Sequence, residues 1–550
     1  MRSTIASILL LATVLSVQAQ DSLLLRDYSF VKRSDPWLTS ANTSALTRFA
    51  STNIAEAELS LTRAKGGQVD YNDSPSVLQA CAGVESFFRL SSRAVVFGGI
   101  SYNNYSGDDM TGSAFLNSIS LATPSSLVPY AAQSAQPHLP FDIVEDSLTN
   151  PGRKHRDVYH LSGGFGIDVL RGLSLGARLD YTAANYAKYK DLRHKNKLMD
   201  LQLAAGLYWP FAQWGSIGAN YLYQRTTESL DFSTYGKTDR TYKSLISYAA
   251  FTGYVEQYGD NGYTDKSHEL PLVSDYNGLS AQLSIDTKPL LLYNAFTFLH
   301  RSGYYGRPSP FTITYTDHQS NLYAYDATLL LPRRKSRHRL DLHLNIENLQ
   351  NRANTFREQL NDAGASYYNY YTPVKTADKL WSDLQLVFTS DLGIVGEQPS
   401  WTILLGHNWL HRKQTAYLYP YYRRQQLDFN EVFASVTRHL LCRHGVWSLM
   451  LSGSFRHGNG APFEDMTFAE PSDKQETPAT MDAHLLREYQ WLTAPQYCIG
   501  GMVKYAFLMP ATSLKTFARL SLSHRKANVT YDYSQGCDRT QVSLAIGCEF

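Results

Sequence analysis

Hydrophobic and polar residues alternate with a period of two along most of this chain. From Leu173 to Ala183 the odd positions are Leu173, Leu175, Ala177, Leu179, Tyr181 and Ala183, and the even ones are Ser174, Gly176, Arg178, Asp180 and Thr182. From Arg339 to Glu347 the contrast is sharper. Leu340, Leu342, Leu344 and Ile346 fall on one face, and Arg339, Asp341, His343, Asn345 and Glu347 on the other. Successive side chains of a strand point to opposite faces, whereas a helix would mix the two sets around its circumference. The pattern predicts an all-β chain.

Read by period and turn residues, the sequence yields about 18 antiparallel strands of roughly 9 to 15 residues, with about 16 as the alternative count. They fall near 54–64, 78–91, 93–105, 156–170, 172–186, 196–210, 213–226, 276–287 and 290–303. The rest fall near 320–331, 336–350, 378–391, 399–413, 427–441, 445–457, 488–508, 512–523 and 537–550. Short links such as Ser91–Ser92, Arg171, Lys288–Pro289, Pro332–Ser336 and Arg443–His444 alternate strictly with long ones. The longest run from Asp108 to His155, Thr227 to Asp275, Gln350 to Ala377 and Gly458 to Arg487.

A soluble sandwich has no reason to keep its long connections on one side. An up-and-down transmembrane β-barrel does, with short periplasmic turns, long outer loops and both termini in the periplasm. Closure also removes the free edges that so many strands would leave. The last strand places Val542, Leu544, Ile546, Cys548 and Phe550 on one face and stops on the aromatic. That ending is similar to the signal read by the barrel-assembly machinery of outer membranes.

The first residues refine the location. Arg2, an apolar run from Ile5 to Val17, and small residues at Val17 and Ala19 predict a secretory signal peptide over 1–19. No cysteine stands at the cleavage point, so no lipid anchor is expected, and no apolar run reaches the roughly 18 residues of a spanning helix. The expected location is the outer membrane of a Gram-negative bacterium, with lipid as the first partner. Residues 20–53 then form a periplasmic segment or a plug, and 54–550 the barrel.

Composition fits this picture. The 51 Lys and Arg nearly balance the 49 Asp and Glu, which gives no case for nucleic acid. The 38 tyrosines suit aromatic girdles at two lipid–water boundaries. Cys81, Cys442, Cys498, Cys537 and Cys548 form no CxxC pair, so neither a zinc site nor a redox motif is indicated.

Several motifs carry a family resemblance. They are Asp27-Tyr28-Ser29-Phe30-Val31, Ser34-Asp35-Pro36-Trp37-Leu38, Glu85-Ser86-Phe87-Phe88-Arg89-Leu90, Leu161-Ser162-Gly163-Gly164, Leu175-Gly176-Ala177 and Tyr189-Lys190-Asp191-Leu192-Arg193-His194-Lys195-Asn196. The chain resembles an uncharacterised family of Bacteroidetes outer-membrane β-barrels, a domain of unknown function. The resemblance is clearest in the N-terminal half. It implies fold and location, and it suggests association with TonB-dependent uptake systems; a TonB-dependent receptor or a surface lipoprotein is the further partner expected if the chain is a scaffold.

The candidate lumen-lining residues are Arg178, Asp180, Arg339, Asp341, His343, Asn345 and Glu347. In a pore such groups select solutes, and in a filled barrel they pair across strands. Candidate outer-loop ligand contacts are Tyr367, Tyr368, Tyr370, Tyr371, Tyr419, Tyr421, Tyr422, Arg423 and Arg424, since aromatic rings beside arginines can stack on planar ligands. The bland account is a girdle with loop packing. His407 and His411 are four residues apart, which on a strand is about 13 Å, too far for one metal ion. Ser454, His457 and Asp465 could be assembled into a hydrolase only on paper, because no G-x-S-x-G elbow is present. No catalytic residue, metal or cofactor is expected. The leading expectation is a channel or accessory component for small-solute uptake. The second is a non-conducting scaffold, and a hydrolase comes third. Whether the long loops fold into the lumen stays open.

Overall fold

The computed structural model describes residues 23–49, 53–116, 139–145, 150–170, 172–235, 241–258, 270–287, 289–509, 514–529 and 536–550. The expected signal peptide at 1–19 lies outside the described residues. The first strands are β1 (Ile54–Lys65), β2 (Ser76–Ser91), β3 (Ala94–Met110), β4 (Asp142–Glu145), β5 (Gly152–Leu170), β6 (Leu173–Lys188), β7 (Arg193–Ala212) and β8 (Gly215–Ser233). Then come β9 (Tyr242–Ala249), β10 (Thr252–Tyr258), β11 (Leu270–Thr287), β12 (Leu290–Gly306), β13 (Thr314–Pro332), β14 (Ser336–Ala353), β15 (Phe356–Leu360) and β16 (Ser366–Tyr370). The last are β17 (Val374–Leu392), β18 (Trp401–Leu418), β19 (Tyr421–Cys442), β20 (Gly445–Thr467), β21 (Ala479–Thr480), β22 (Gln496–Leu508), β23 (Lys515–Ala527) and β24 (Asp538–Glu549).

Eighteen of them form one antiparallel sheet in which each strand pairs with its neighbour in the chain. β1 pairs with both β2 and β24, with Glu56 opposite Glu549 and Lys65 opposite Thr540, so the sheet closes into a barrel. All eighteen expected strands are present. Most run further than expected, as in Tyr421–Cys442 against 427–441, because period two is visible only where one face is apolar and strand ends beyond that band are polar on both faces.

Two features differ from expectation. Residues 482–493, partly expected as the start of a strand at 488–508, form a helix, α2 (Asp482–Thr493). Its buried residues His484, Leu485, Arg487, Glu488, Trp491 and Leu492 recur at helical spacing. The alternation of connections is also less strict. On the long-loop side the extended strands shorten two links to 189–192 and 419–420, and the short-turn side holds the longer 393–400.

Outward positions are apolar all round the barrel. Leu59 and Leu61, Leu175 and Leu179, Leu279 and Leu283, Leu449 and Leu451, and Val542, Leu544 and Ile546 are all exposed. Inward positions of the same wall are buried, as Arg423, Gln425, Leu427, Phe429, Glu431 and Phe433 show along β19. An exposed apolar belt on a sheet with no free edge is what a lipid environment requires.

Residues 23–49 lie at the short-turn end, where Ala55 and the terminal Phe550 exchange backbone hydrogen bonds. They form α1 (Tyr28–Lys32) and two 3-10 turns, Pro36–Leu38 and Thr43–Arg48. Asp27, Asp35 and Asn42 cap these elements through their side chains. Trp37, almost wholly buried, packs edge-on against Tyr208 of β7 and Tyr293 of β12. Asn42 Nδ2 donates to the Leu207 carbonyl and to Gln282 Oε1, both at 2.9 Å. The segment therefore touches the inner wall on several sides.

The opposite mouth is filled by connections. β4, β9, β10 and β21 form a four-stranded sheet inside it, with Ile143 opposite Ile246. Phe115, Phe141 and Ile143 pack with Ile246 and Tyr248 against wall residues such as Phe232, Leu272, Tyr305 and Ala416. Helix α2 adds Trp491 and Leu492 beside Trp381, Leu410 and Phe429. This is a dry core built within a barrel mouth.

Candidate functional site

The inward face of β14 reads the lumen from end to end. At the short-turn end Arg337 is buried, its guanidinium 3.5 Å from the Phe30 ring centroid and 3.1 Å from Asp391. Side-chain exposure is 7% at Arg337 and 13% at Arg339, rises to 32% at Asp341 and 42% at His343, and falls to 10% at Glu347. Leu349 and Asn351, nearest the other mouth, are both at 0%. An open pore would leave both ends of this row wet. Here only the middle is accessible, between two fillings.

The candidate lumen charges face inward and are paired. Arg339 binds Asp341 at 2.7 Å and donates to the Arg33 carbonyl, also at 2.7 Å, tying β14 to the N-terminal segment. His343 Nδ1 meets Asp326 at 2.5 Å, while Nε2 lies 2.7 Å from Asn345. Glu347 accepts from Ser320 at 2.6 Å and lies 3.6 Å from Arg301. Arg178 and Asp180 pair with each other at 2.5 Å. Pairing along the strand, as in Arg178–Asp180 and Arg339–Asp341, and between strands, as in His343–Asp326 and Glu347–Ser320, accounts for this set as a polar filling.

The tyrosine groups split. Tyr367, Tyr368 and Tyr370 stand on the β15–β16 hairpin, with Tyr371 just beyond it. Tyr367 donates to Gln359 at 2.6 Å, Tyr370 donates to the Thr312 carbonyl at 3.1 Å, and Tyr368 packs on Phe356. Tyr419 is exposed in the tight link between β18 and β19, while Tyr421 and Tyr422 belong to β19 itself. Tyr422 stacks on Phe468 at 4.5 Å. Arg423 and Arg424 are strand residues, not loop residues. Arg423 is buried between Asp465 at 2.6 Å and Asp482 at 2.5 Å, so it anchors α2.

His407 and His411 occupy alternate positions of β18 with exposed Trp401 and Leu405, and each is bound separately, to Asn430 and Asp428. Ser454 and His457 are an odd number of residues apart on β20 and point to opposite faces, while Asp465 is engaged by Arg423. No triad is assembled from them.

The structure adds groups that the sequence did not single out. Lys154 of β5 and Lys188 of β6 converge on Glu145 of β4, Lys154 at 2.9 Å, with His194 of β7 at 3.5 Å. Burial pushes this carboxyl up, but the two ammonium groups and the histidine overcome it and hold it at about 2. Asn196 Nδ2 donates to the Ala114 carbonyl, and Glu228 accepts from the Leu116 backbone N–H at 2.6 Å. Four adjacent wall strands thus grip one inward connection.

Between this sheet, α2 and the β17–β18 wall lies a cavity of about 80 Å³. Its charged lining is Asp142, Lys379, Arg412 and Glu488. Arg412 and Glu488 form a two-pronged pair, Nη1 to Oε1 at 2.9 Å and Nη2 to Oε2 at 2.6 Å. Asp142 accepts from Ser113 Oγ at 2.5 Å and Tyr71 Oη at 3.1 Å. This cavity is not legible in the sequence, because its lining comes from segments far apart in the chain. The one local signal was Lys379 between Ala377 and Trp381 on an inward face.

No curated protein matches the chain in sequence. Among solved structures, the chain is similar to the ferric preacinetobactin receptor BauA from Acinetobacter baumannii, at 9% identity and a TM-score of 0.35 over 90% of this chain and 80% of that one. It is similar to the outer membrane transporter YddB from Escherichia coli, at 9% and 0.36 over 91% and 81%. It is also similar to a FadL homologue from Pseudomonas aeruginosa, at 10% and 0.28 over 97% and 96%. Overlaps this loose leave the chemistry to be read from the chain's own residues. A profile described as a family of unknown function, DUF6850, matches residues 44–550, and the chain belongs to that family.

Proposed function

We propose that this chain is an outer-membrane β-barrel, closed at rest, that serves as an accessory component in the uptake of a small solute. The observation that carries this reading is the row along β14, wet at His343 and dry at Arg337, Leu349 and Asn351. A filled lumen favours holding and handing over a solute, or binding a receptor or lipoprotein, over free diffusion. It works by non-covalent contacts and acts without covalent chemistry.

The test is co-purification from native membranes in mild detergent, joined to swelling of liposomes that carry the purified barrel. The expected result is a stoichiometric membrane partner and no swelling in small sugars. A barrel that travels alone and lets sugars through would replace this reading with an open channel. A gated channel is the second reading, favoured by the polar contacts that Asn42 and Arg339 add to the apolar packing of the separate N-terminal segment.

A further inference from the structure

Three of the four charged groups around the mouth cavity are already satisfied: Arg412 and Glu488 by each other, and Asp142 by two hydroxyls. Lys379 is the exception. Its Nζ donates one hydrogen bond, to the Leu139 carbonyl at 2.7 Å, and no carboxylate among the described residues comes within 4.0 Å of it. An ammonium group has three donors. Two of them are left for whatever occupies the cavity. The apolar part of the lining is supplied by Val144, Ala249, Ala250 and Phe251, and by Trp381 beside Lys379 on the same face of β17.

Size narrows the occupant. A cavity of about 80 Å³ holds about five to eight water-sized positions. A body of that size with one anionic end and one greasy end is a carboxylic acid of roughly three to five carbons. We propose that this cavity binds a short carboxylic acid, its carboxylate on Lys379 Nζ and its carbon chain against Trp381 and Phe251. The proposal names the solute class of the uptake reading and rests on that reading for its biological meaning, but binding stands or falls by itself.

The probe is butyrate, with butyramide as its uncharged isostere, titrated by ligand-observed NMR against the folded full-length barrel. Butyrate is expected to bind, and butyramide to bind about ten- to a hundredfold more weakly, the worth of one buried charge-assisted hydrogen bond. Lys379→Gln should weaken butyrate by a similar factor. No binding of butyrate, equal binding of both probes, or indifference to the substitution overturns the proposal.

A readout on the unmutated protein covers the case in which Lys379→Gln disturbs the mouth. Butyrate should slow reductive methylation of Lys379 by formaldehyde and cyanoborohydride, followed by peptide mass spectrometry, and leave exposed Lys335 unchanged. Equal rates at Lys379 with and without butyrate would also overturn it. A barrel that conducts yet binds butyrate through Lys379 would defeat the closed-barrel reading alone, and a silent barrel indifferent to butyrate would defeat only this one.

Discussion

Gly176 on the wall of β6 faces the backbone of Ser44 so closely that a Cβ at this position would lie 2.3 Å from the Ser44 nitrogen. Its cross-strand partner on β7, Gly206, stands in the same relation to Asn42, at 2.2 Å from Oδ1. The N-terminal segment thus rests on bare backbone, in a seat that a side chain would fill.

Gly176→Leu should lift the 42–49 turn off the wall, since a backbone atom cannot yield as a flexible side chain would. The expected cost is about 1–3 kcal/mol, read as faster amide exchange across residues 42–49. Unchanged protection there would show that the segment is held elsewhere.

The mouth should loosen in acid in two stages. Burial, reinforced by Arg487, lowers His484 from 6.5 to about 4, so the stability its neutral form contributes is complete above about 6.5 and lost as pH falls through about 4. Glu145, lowered from 4.5 to about 2, contributes stability that is complete above about 4.5 and lost as pH falls through about 2. Exchange in residues 482–493 should therefore rise at a higher pH than exchange in 142–145, and Glu145→Gln should remove the second stage. A single common transition would contradict this assignment.

Glu488→Ala leaves the Arg412 guanidinium buried without its partner. Breaking such a pair from one side costs about 3–5 kcal/mol, and the loss should appear as lost protection in α2 with the eighteen strands intact. Global unfolding would mean that the mouth core and the barrel wall are not separable units.

Leu451, 68% exposed on the outer face of β20, tests the lipid belt. Leu451→Arg should destabilise the barrel by about 2–4 kcal/mol in bilayer folding titrations if the site lies near mid-membrane. A neutral effect would show that Leu451 lies outside the bilayer core.

The barrel was legible because lipid on one side and a polar interior on the other impose period two on every strand. Hence Leu340 to Ile346 and Val542 to Phe550 could be assigned to faces directly. The lumen filling was not legible. α2 carried its own signal, the spacing of His484, Leu485, Glu488 and Trp491, but a period-two reading carried the strand back across its end. Glu145 meets Lys188 and Lys379 meets Leu139 across 43 and 240 residues of chain, and no local pattern encodes such a meeting. Arg423 looked like a loop contact because it follows a run of tyrosines, yet register on β19 turns it inward.

Closure at rest is decided by single-channel conductance of the folded protein in a planar bilayer. Silence is expected from protein whose gel mobility shifts on boiling, as a folded barrel's does. Steady openings from that same protein would contradict it.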